Sequence, residues 1–376
     1  MKLLSLLLAF ALVGICLGGE PKLASGGLAK EPSYEGRPLS EWTTLARDKD
    51  PEARIKATKA LANLGPVAVP TLMELLKDAD GEVQEVAAWA LGKIGSGAKD
   101  AVPALVALLK HKDSLLRGAA ANALARVGPE AKAAVPSLMD ALQDRYWSVR
   151  YKAASALGEI GPEAKAAVPA LAALLKDKEV PEFAADALGR IGPEAKKAIP
   201  ALIELLKDKH ANHTSREATG WALGKIGPAA VPALTELLRD KDSEVRRIAA
   251  ATLGNIGVAA KSAAPALAGL LQDSEGTVRA TAALALWEIS PNDAHVESAI
   301  LVTIGLCGDK DAEVRLAAAC ALSAIGPSAK SAVPVLTTML EDKNEWVRKA
   351  AADALEKIKN GKKQQGLRKR PTPPGR

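Results

Sequence analysis

The sequence predicts an all-α protein built as a solenoid of about ten two-helix repeats, and three observations lead to this prediction. First, one motif returns along the chain, for example as "VPALVALLKHKDSLLRGAAANALARVG" from Val102 and "VPALTELLRDKDSEVRRIAAATLGNIG" from Val231. Second, aromatic residues make up only 3% of the chain, whereas a compact core usually contains several. Third, proline and glycine punctuate the motif at fixed places, as they do at helix ends.

Each repeat is predicted to form two helices over residues 38–359. A proline lies in the first turn of the first helix, where its missing N–H would have no partner in any case. A polar turn follows, often Asp-Lys-Asp as at Asp240–Asp242. The second helix carries an apolar stripe such as Val245, Ala249 and Leu253 and closes at a glycine that we expect in the left-handed conformation. The closing positions lie 30 to 36 residues apart, at Gly65, Gly95, Gly128, Gly161, Gly192, Gly227, Gly257, Ser290, Gly326 and Lys359.

The motif "D…VR…AA…AL..IG" resembles the HEAT-repeat family, in the short form named after phycobilisome lyases. This resemblance implies a right-handed superhelix, with the proline-led helix outside and the second helix on the concave side. An arginine follows the valine of the motif in eight units, and we expect it to form an ion pair with the preceding aspartates of its own turn. These arginines are Arg54, Arg117, Arg150, Arg216, Arg246, Arg279, Arg315 and Arg348.

The N-terminus has the pattern of a targeting signal. Lys2 precedes an apolar run from Leu3 to Val13, and the small residues of "GICLGG" follow. We expect a signal peptide at residues 1–18 and export to the periplasm or the outside of the cell; lipid attachment at Cys16 is the alternative. No other segment is apolar enough to predict a transmembrane span. After cleavage two cysteines, Cys307 and Cys320, remain, as packed thiols or as a bridge.

Two further segments differ from the repeats in composition. Residues 19–37 are rich in proline, glycine and serine and are predicted to be a flexible linker. Residues 360–376 contain six basic residues and no acidic ones, which leaves the rest of the chain neutral, and we predict a disordered basic tail. Such a tail either binds a polyanion or only keeps the end of the chain soluble. The neutral body argues against a specific nucleic-acid clamp.

The sequence contains no catalytic motif and predicts neither a catalytic residue nor a cofactor. His210 and His213, in a turn two residues longer than usual, are weak candidates for metal ligands together with Asp208 or Glu217. Exposed turn histidines without a metal are the simpler interpretation. The chain also lacks the His-Glu dipeptide through which hydroxylases of this family hold iron. A lyase or a metal-dependent oxidoreductase, implied by the family name, is the alternative to a non-catalytic protein.

One position of the second helix is expected to face solvent on the concave side. It lies six residues after the valine of the motif, about 155–165° from the apolar stripe at 100° per residue. Trp89 and Trp221 occupy it in two identical "WALGKIG" segments, and Lys93 and Lys225 follow each one turn later. The alternative is that each tryptophan folds over the neighbouring repeat.

A second candidate surface is the stretch "DRYWSVRY" at residues 144–151. Tyr146, Trp147 and Tyr151 stand beside Arg145, and tyrosine, tryptophan and arginine are the residue types enriched in binding hot spots. A turn has little structural need for two aromatic side chains. The sequence therefore predicts a scaffold that binds a large or extended protein, and no small-molecule substrate.

Overall fold

The computed structural model describes residues 31–292 and 294–364. Within this part of the chain, short and long α-helices alternate and form ten pairs, which confirms the predicted all-α solenoid. The short helices are α1 Leu39–Leu45, α3 Val69–Leu75, α5 Val102–Leu108, α7 Val135–Ala141, α9 Val168–Leu174, α11 Ile199–Lys207, α13 Val231–Leu237, α15 Ala264–Gly269, α17 His295–Leu306 and α19 Val333–Thr338. The long helices are α2 Pro51–Leu64, α4 Gly81–Ile94, α6 Ser114–Val127, α8 Trp147–Ile160, α10 Pro181–Ile191, α12 His213–Ile226, α14 Ser243–Ile256, α16 Gly276–Ile289, α18 Ala312–Ile325 and α20 Glu345–Gln364.

The predicted signal peptide and Cys16 lie outside the described residues, as do positions 19–30 of the linker and 365–376 of the tail. The borders of the folded part differ from those predicted. Two short antiparallel strands, β1 Ser33–Tyr34 and β2 Arg37–Pro38, occupy the end of the range assigned to the linker. At the other end, α20 continues five residues into the range assigned to the tail.

Both ends of the folded array differ from its interior. The indole N–H of Trp42, in α1, donates a hydrogen bond of 3.1 Å to the carbonyl oxygen of Tyr34, so the two strands cover the first repeat and bury this tryptophan. At the opposite end, α20 has an exposed glutamate, Glu356, where most earlier long helices have alanine or glycine. Terminal repeats of a solenoid need such a polar outer surface because no further repeat packs on them.

Most long helices end at a glycine with positive φ, as predicted. At Gly161, for example, φ is 73° and ψ is −141°. This ψ lies outside the left-handed helical region that we expected, in a part of the map that is essentially restricted to glycine. The chain then passes through a short 3₁₀ segment into the next short helix, so one glycine sets the direction of each connection.

Consecutive long helices pack directly against one another, whereas consecutive short helices have few contacts. The long helices therefore lie on the inner side of the curved array. Their close approach depends on small residues: a Cβ added at Gly92 would come within 3.1 Å of the Cα of Ala123, and one at Gly158 within 3.0 Å of the Cα of Ala187. The alanine- and leucine-rich composition thus follows from the short distance between helices.

The motif arginine joins neighbouring repeats. Arg246 donates from Nε and Nη2 to the two carboxylate oxygens of Asp273 in the next repeat, at 2.7 and 2.8 Å. Its Nη1 donates to the carbonyl oxygens of Asp240 and Lys241 in its own turn, at 2.9 and 3.1 Å. The prediction that the arginine pairs with aspartates of its own turn is therefore wrong. We call each such pair an interrepeat rung, and the rungs are Arg54–Asp78, Arg117–Asp144, Arg150–Asp177, Arg216–Asp242, Arg246–Asp273 and Arg315–Asp342.

The acidic positions of the turn have different tasks in most repeats. The first belongs to the rung from the preceding repeat and also accepts a turn N–H, as Asp273 does from Glu275 at 2.9 Å. The second is the N-cap of the long helix: Asp113 accepts the backbone N–H of Leu115 at 2.8 Å. An N-cap satisfies one of the amide groups that have no partner in the first turn of a helix.

The stack changes at the junction of the eighth and ninth repeats. The buried side chains form two clusters, from Trp42 to Ala299 and from Ala280 to Ile358, that meet on α16 and α17. Arg279 bonds to two turn carbonyl oxygens and to no carboxylate of the described residues. Ser290 replaces the closing glycine, and Trp287 replaces the small residue at which other long helices touch. This junction is therefore held by fewer of the recurring contacts.

Removing one side of a rung is predicted to destabilise the protein. Arg246→Ala should lower the free energy of unfolding by about 2 kcal/mol because it leaves a largely buried carboxylate and two carbonyl oxygens without their donor. The measurement is the urea midpoint at constant slope. The matched control is Arg47→Ala, whose pair with Glu74 is exposed at 60% and 61% of the two side chains. An equal loss in both variants would contradict a special role for the rung.

The rungs also predict a pH dependence. Hydrogen bonds from Arg315 and from the backbone N–H of Asn344 lower the pKa of Asp342 to about 2. This pKa is below the value of about 3.9 in an unfolded chain, so the rung stabilises the fold fully above about pH 4 and loses that contribution as the pH falls towards 2. The difference in stability between the wild type and Asp342→Asn should therefore be constant near neutral pH and shrink in acid. A difference that grows in acid would refute the assignment.

Candidate partner-binding surface

The position expected to face solvent on the long helices does so in the structure. We call this set the inner row, and its members are either exposed or half-buried. Trp89 and Trp221 are the large apolar members, with 43% and 41% of their surface exposed. The inner row consists of Lys59, Trp89, Asn122, Ser155, Asp186, Trp221, Ala251, Leu284, Cys320 and Asp353.

Both tryptophans of the inner row have the predicted lysine beside them. The Nζ of Lys93 lies 5.3 Å from the ring centroid of Trp89, and the Nζ of Lys225 lies 5.7 Å from that of Trp221. These are cation–π distances. The ring of Trp221 also lies over Gly189 of the preceding repeat, where a Cβ would overlap it. The two interpretations from the sequence thus both hold in part, because the ring packs on its neighbour and still exposes a face.

The stretch "DRYWSVRY" covers the turn before α8 and the first five residues of that helix, and it contributes to a row of aromatic rings. The rings of Trp147 and Tyr151 are stacked with centroids 5.6 Å apart, and Tyr151 is 4.9 Å from Phe183 on α10. We call Trp147, Tyr151 and Phe183 the aromatic platform. Trp147 is 49% exposed, and the other two rings are half-buried. The platform crosses from the fourth repeat to the fifth.

Tyr146 lies next to the platform, at a position where a tyrosine lowers the stability of the helix. It is the N-cap of α8 and makes no side-chain capping bond, whereas Asp80 and Asp113 cap α4 and α6 at the same position. The loss of an N-cap costs about 1 kcal/mol. The Tyr146 ring is 41% exposed and has the guanidinium carbons of Arg145 and Arg117 at 4.7 and 5.9 Å. A stabilising residue has thus been exchanged for an exposed aromatic one.

Sequence reasoning missed two large residues of this surface and one at the end of the array. Phe183 was missed because the turn of its repeat is two residues shorter, which hid its relation to Tyr151. Leu115, at the start of α6, is 64% exposed. Trp346, at the start of α20, is 65% exposed. It stands in "EWVR", a pattern similar to the "YWSVR" of the fourth repeat, and that similarity would have identified it.

The candidate metal ligands are only partly brought together. Among the described residues, His213, Glu217 and Glu244 place ligand atoms within 4.8 Å of one another. The Nδ1 of His213 is 3.2 Å from Oε1 of Glu244, the residue that sequence reasoning did not include. His210 is not part of this group; its backbone N–H donates to Asp208 at 2.9 Å.

A guanidinium group is already bound to both carboxylates of that cluster. Arg247 donates from Nε and Nη2 to the two oxygens of Glu244, at 2.8 Å each, and it also bonds to Glu217. These contacts lower the pKa of Glu244 and raise that of Arg247, chiefly through the hydrogen bonds between them. The cluster is arranged as an ion-pair network in which the positive charge belongs to the protein, and a metal ion would have to displace it.

The two cysteines lie in different environments and are not bridged. Cys307 is buried, and burial raises the pKa of its thiol to about 12. Cys320 is exposed in the inner row, so the expectation of two packed thiols is wrong for this residue. A buried thiol with a high pKa is an inert packing group.

One stretch of the described chain, Ala312–Glu341, is long enough to cross a membrane and contains an apolar 18-residue window with a mean hydropathy of 1.3. The sequence-based expectation did not include it. Half of its apolar 18-residue window is buried inside the protein, and the stretch consists of α18, a 3₁₀ segment that begins at Gly326, where φ is 65°, then α19 and a second 3₁₀ segment. The core helices of a repeat pass the same test of length and composition.

The stacked pairs of helices define an α-solenoid repeat protein, and comparison of the sequence with known families identifies which kind. The pattern of HEAT repeats matches the chain at residues 39–125, 69–144, 102–185, 135–219, 208–287, 265–356 and 300–372. These matches cover most of the chain. The protein therefore belongs to the HEAT-repeat family, as the sequence motif indicated.

Several solved structures are similar. An engineered protein shares 30% identity over 85% of this chain and 98% of its own, with a TM-score of 0.47. The complex of CpcE and CpcF of phycocyanin lyase from Nostoc sp. shares 27% identity over 62% of this chain and 92% of that chain, with a TM-score of 0.37. The karyopherin Kap121p, bound to the extreme C-terminus of the protein phosphatase Cdc14p, shares 14% identity over 88% of this chain and 43% of its own, with a TM-score of 0.59. That last similarity shows the fold alone. A comparison with curated proteins finds no match.

The ion-pair network leads to a prediction about metal binding. Purified wild-type protein should retain no stoichiometric zinc after dialysis. Arg247→Gln should bind Zn²⁺ at least about tenfold more tightly than the wild type does, because the variant leaves both carboxylates to the ion. Calorimetric titration measures both. His210→Ala is the control and should change neither. One zinc ion per chain in the wild type, lost in His213→Ala, would instead establish a metal site and reopen the enzymatic interpretation.

Proposed function

We propose that this protein is a non-catalytic scaffold that binds a large or extended protein through the inner row and the aromatic platform. Solenoids of this kind commonly bind partners along an extended concave surface.

The proposed function also includes export: residues 1–18 act as a signal peptide and the mature chain works in the periplasm or outside the cell. Attachment through a lipid at Cys16 is the alternative form of the exported chain. The intact mass of protein purified from its source distinguishes a chain that starts at Gly19 from a lipidated one.

The observation that carries the proposal is the aromatic surface at the start of α8. Trp147 and Tyr146 are 49% and 41% exposed, and Tyr146 replaces the aspartate that caps other long helices. Exposing two aromatic rings and giving up an N-cap both lower stability. Such a combination is expected where the side chains serve binding rather than folding.

The geometry of the array favours a large partner. Ten repeats at about 10 Å each give an arc of about 100 Å. Trp89 and Trp221 lie four repeats apart, about 40 Å along the array at the same spacing, which is too far for one small-molecule pocket. Between them lies the aromatic platform. The exposed aromatic residues are therefore separate contact points for a partner that runs along several repeats.

The platform is also held rigidly, which favours affinity. The Arg117–Asp144 rung joins the third repeat to the fourth, and the Arg150–Asp177 rung joins the fourth to the fifth across the same junction as the platform, with closest distances of 2.6 and 2.9 Å. Arg150 additionally bonds to Glu179, two residues before the start of α10, at 2.7 Å. A contact surface that is ordered before binding loses less conformational entropy when the partner arrives.

The test is affinity capture from extracts of the protein's own source, using the chain from residue 19. Trp147→Ala should reduce the amount of the captured partner at least about tenfold, since exposed aromatic anchors carry a large share of binding energy. The control is Leu301→Ala, which removes a 60% exposed apolar side chain from an outer helix. Circular dichroism checks that both variants fold. Unchanged capture by Trp147→Ala and by Trp89→Ala would contradict the proposed surface.

A further inference from the structure

The aromatic platform has the dimensions of a site for an extended proline-rich segment. Its ring centroids follow one another at 5.6 and 4.9 Å, so the row of rings has a length of the order of one turn of a polyproline II helix, about 9 Å. Domains that bind such segments use grooves lined with aromatic side chains, because the flat rings fit the proline ridges. The stacked and tilted arrangement leaves the exposed face of Trp147 at one end and Phe183 at the other.

Carboxylates lie beside the platform on the side of the fifth repeat. Glu179 precedes α10, and its side chain is 55% exposed although Arg150 bonds to one of its oxygens. Glu182, next to Phe183, accepts a hydrogen bond from the Ser215 hydroxyl at 3.2 Å through Oε2. Basic side chains, Arg145 and Lys152, lie on the side of the fourth repeat against Tyr146 and Tyr151. A ligand with prolines over the rings and basic residues towards α10 would satisfy this charge pattern.

The chain itself contains one segment of that chemistry. Residues 365–376 read "QGLRKRPTPPGR", with three prolines directly after the basic run Arg368–Arg370. This segment lies outside the described residues and follows the end of α20 at Gln364. Twelve residues span at most about 40 Å. The platform is five repeats from α20, about 50 Å along the array, so the segment of the same molecule is too short to follow the array back to it.

We propose that the aromatic platform binds the C-terminal segment 365–376 of a second copy of this chain. This inference rests on the proposed function, since it names an occupant for the same surface. The prolines Pro371, Pro373 and Pro374 lie on the rings, and the preceding basic run lies along Glu179 and Glu182. Each copy carries one platform and one segment, so the contact is heterologous and can join more than two copies.

The test uses the full chain and measures self-association by sedimentation velocity over a range of concentrations. The wild type should associate as its concentration rises. Trp147→Ala and the triple variant Pro371→Ala, Pro373→Ala, Pro374→Ala should each weaken association at least about tenfold. Trp346→Ala, which removes another exposed tryptophan, is the matched control and should associate like the wild type. A synthetic peptide of residues 365–376 should compete with the association, whereas a peptide with the three prolines replaced by alanine should not.

Three results would overturn the inference. The first is a wild type that stays monomeric at every concentration, and the second is a self-association that the proline variant leaves unchanged. The third is a quenching of Trp147 fluorescence by the segment that does not depend on protein concentration, because this would place the segment on its own molecule. If self-association fails in this way while Trp147→Ala still abolishes capture of another protein, the inference is wrong and the proposed function stands. If Trp147→Ala leaves both self-association and capture unchanged, and Trp89→Ala also leaves capture unchanged, both the inference and the proposed function are wrong.

Discussion

The structure depends on one recurring interaction, the bond between the arginine of one repeat and an aspartate of the next. The guanidinium group of Arg246 reaches both oxygens of Asp273 and two carbonyl oxygens of its own turn, so one side chain fixes a turn and joins two repeats. Both partners are largely buried, at 12% and 7% exposure of their side chains. A planar, bidentate pair also fixes the rotation of one repeat on the next, which lysine could not do. The residues that form the rung, the N-cap and the glycine contact are therefore needed for the packing of one repeat on the next, whereas the residues of the inner row are free to vary.

Individual junctions between repeats depart from this pattern of contacts. Gln84 replaces the arginine in the second repeat, and in the third repeat His111 replaces the aspartate that would have met it, so both halves of one rung are exchanged together. The imidazole of His111 still accepts the turn N–H of Asp113 at 3.1 Å. At the junction of the eighth and ninth repeats, by contrast, the described residues form no rung, the closing glycine is absent and the buried core is divided into two clusters. The aromatic platform lies away from that junction, across the fourth and fifth repeats, which the Arg150–Asp177 rung joins.

Much of the fold follows from the sequence because the same two-helix motif occurs ten times. Repetition predicted the helix pairs, the closing glycines and the solvent-facing position that carries Trp89 and Trp221. It did not predict which aspartate Arg246 meets, since the same motif occurs in its own turn and in the next one and only the stacking of repeats decides. For the same reason Glu244 was missed as a neighbour of His213, and Phe183 as a neighbour of Tyr151, because each pair joins different repeats. The binding roles of the exposed aromatic residues are predictions.

Rungs and a continuous core couple the repeats, and this coupling is weakest between the eighth and ninth. Native-state hydrogen exchange of the full chain in increasing denaturant tests it most directly, because it gives an opening free energy for each helix. Amides of α18 and α20 should exchange through an opening of lower free energy than those of α4 to α14. A single free energy shared by all long helices would contradict it, and so would a first opening at the junction of the seventh and eighth repeats, where the Arg246–Asp273 rung is intact.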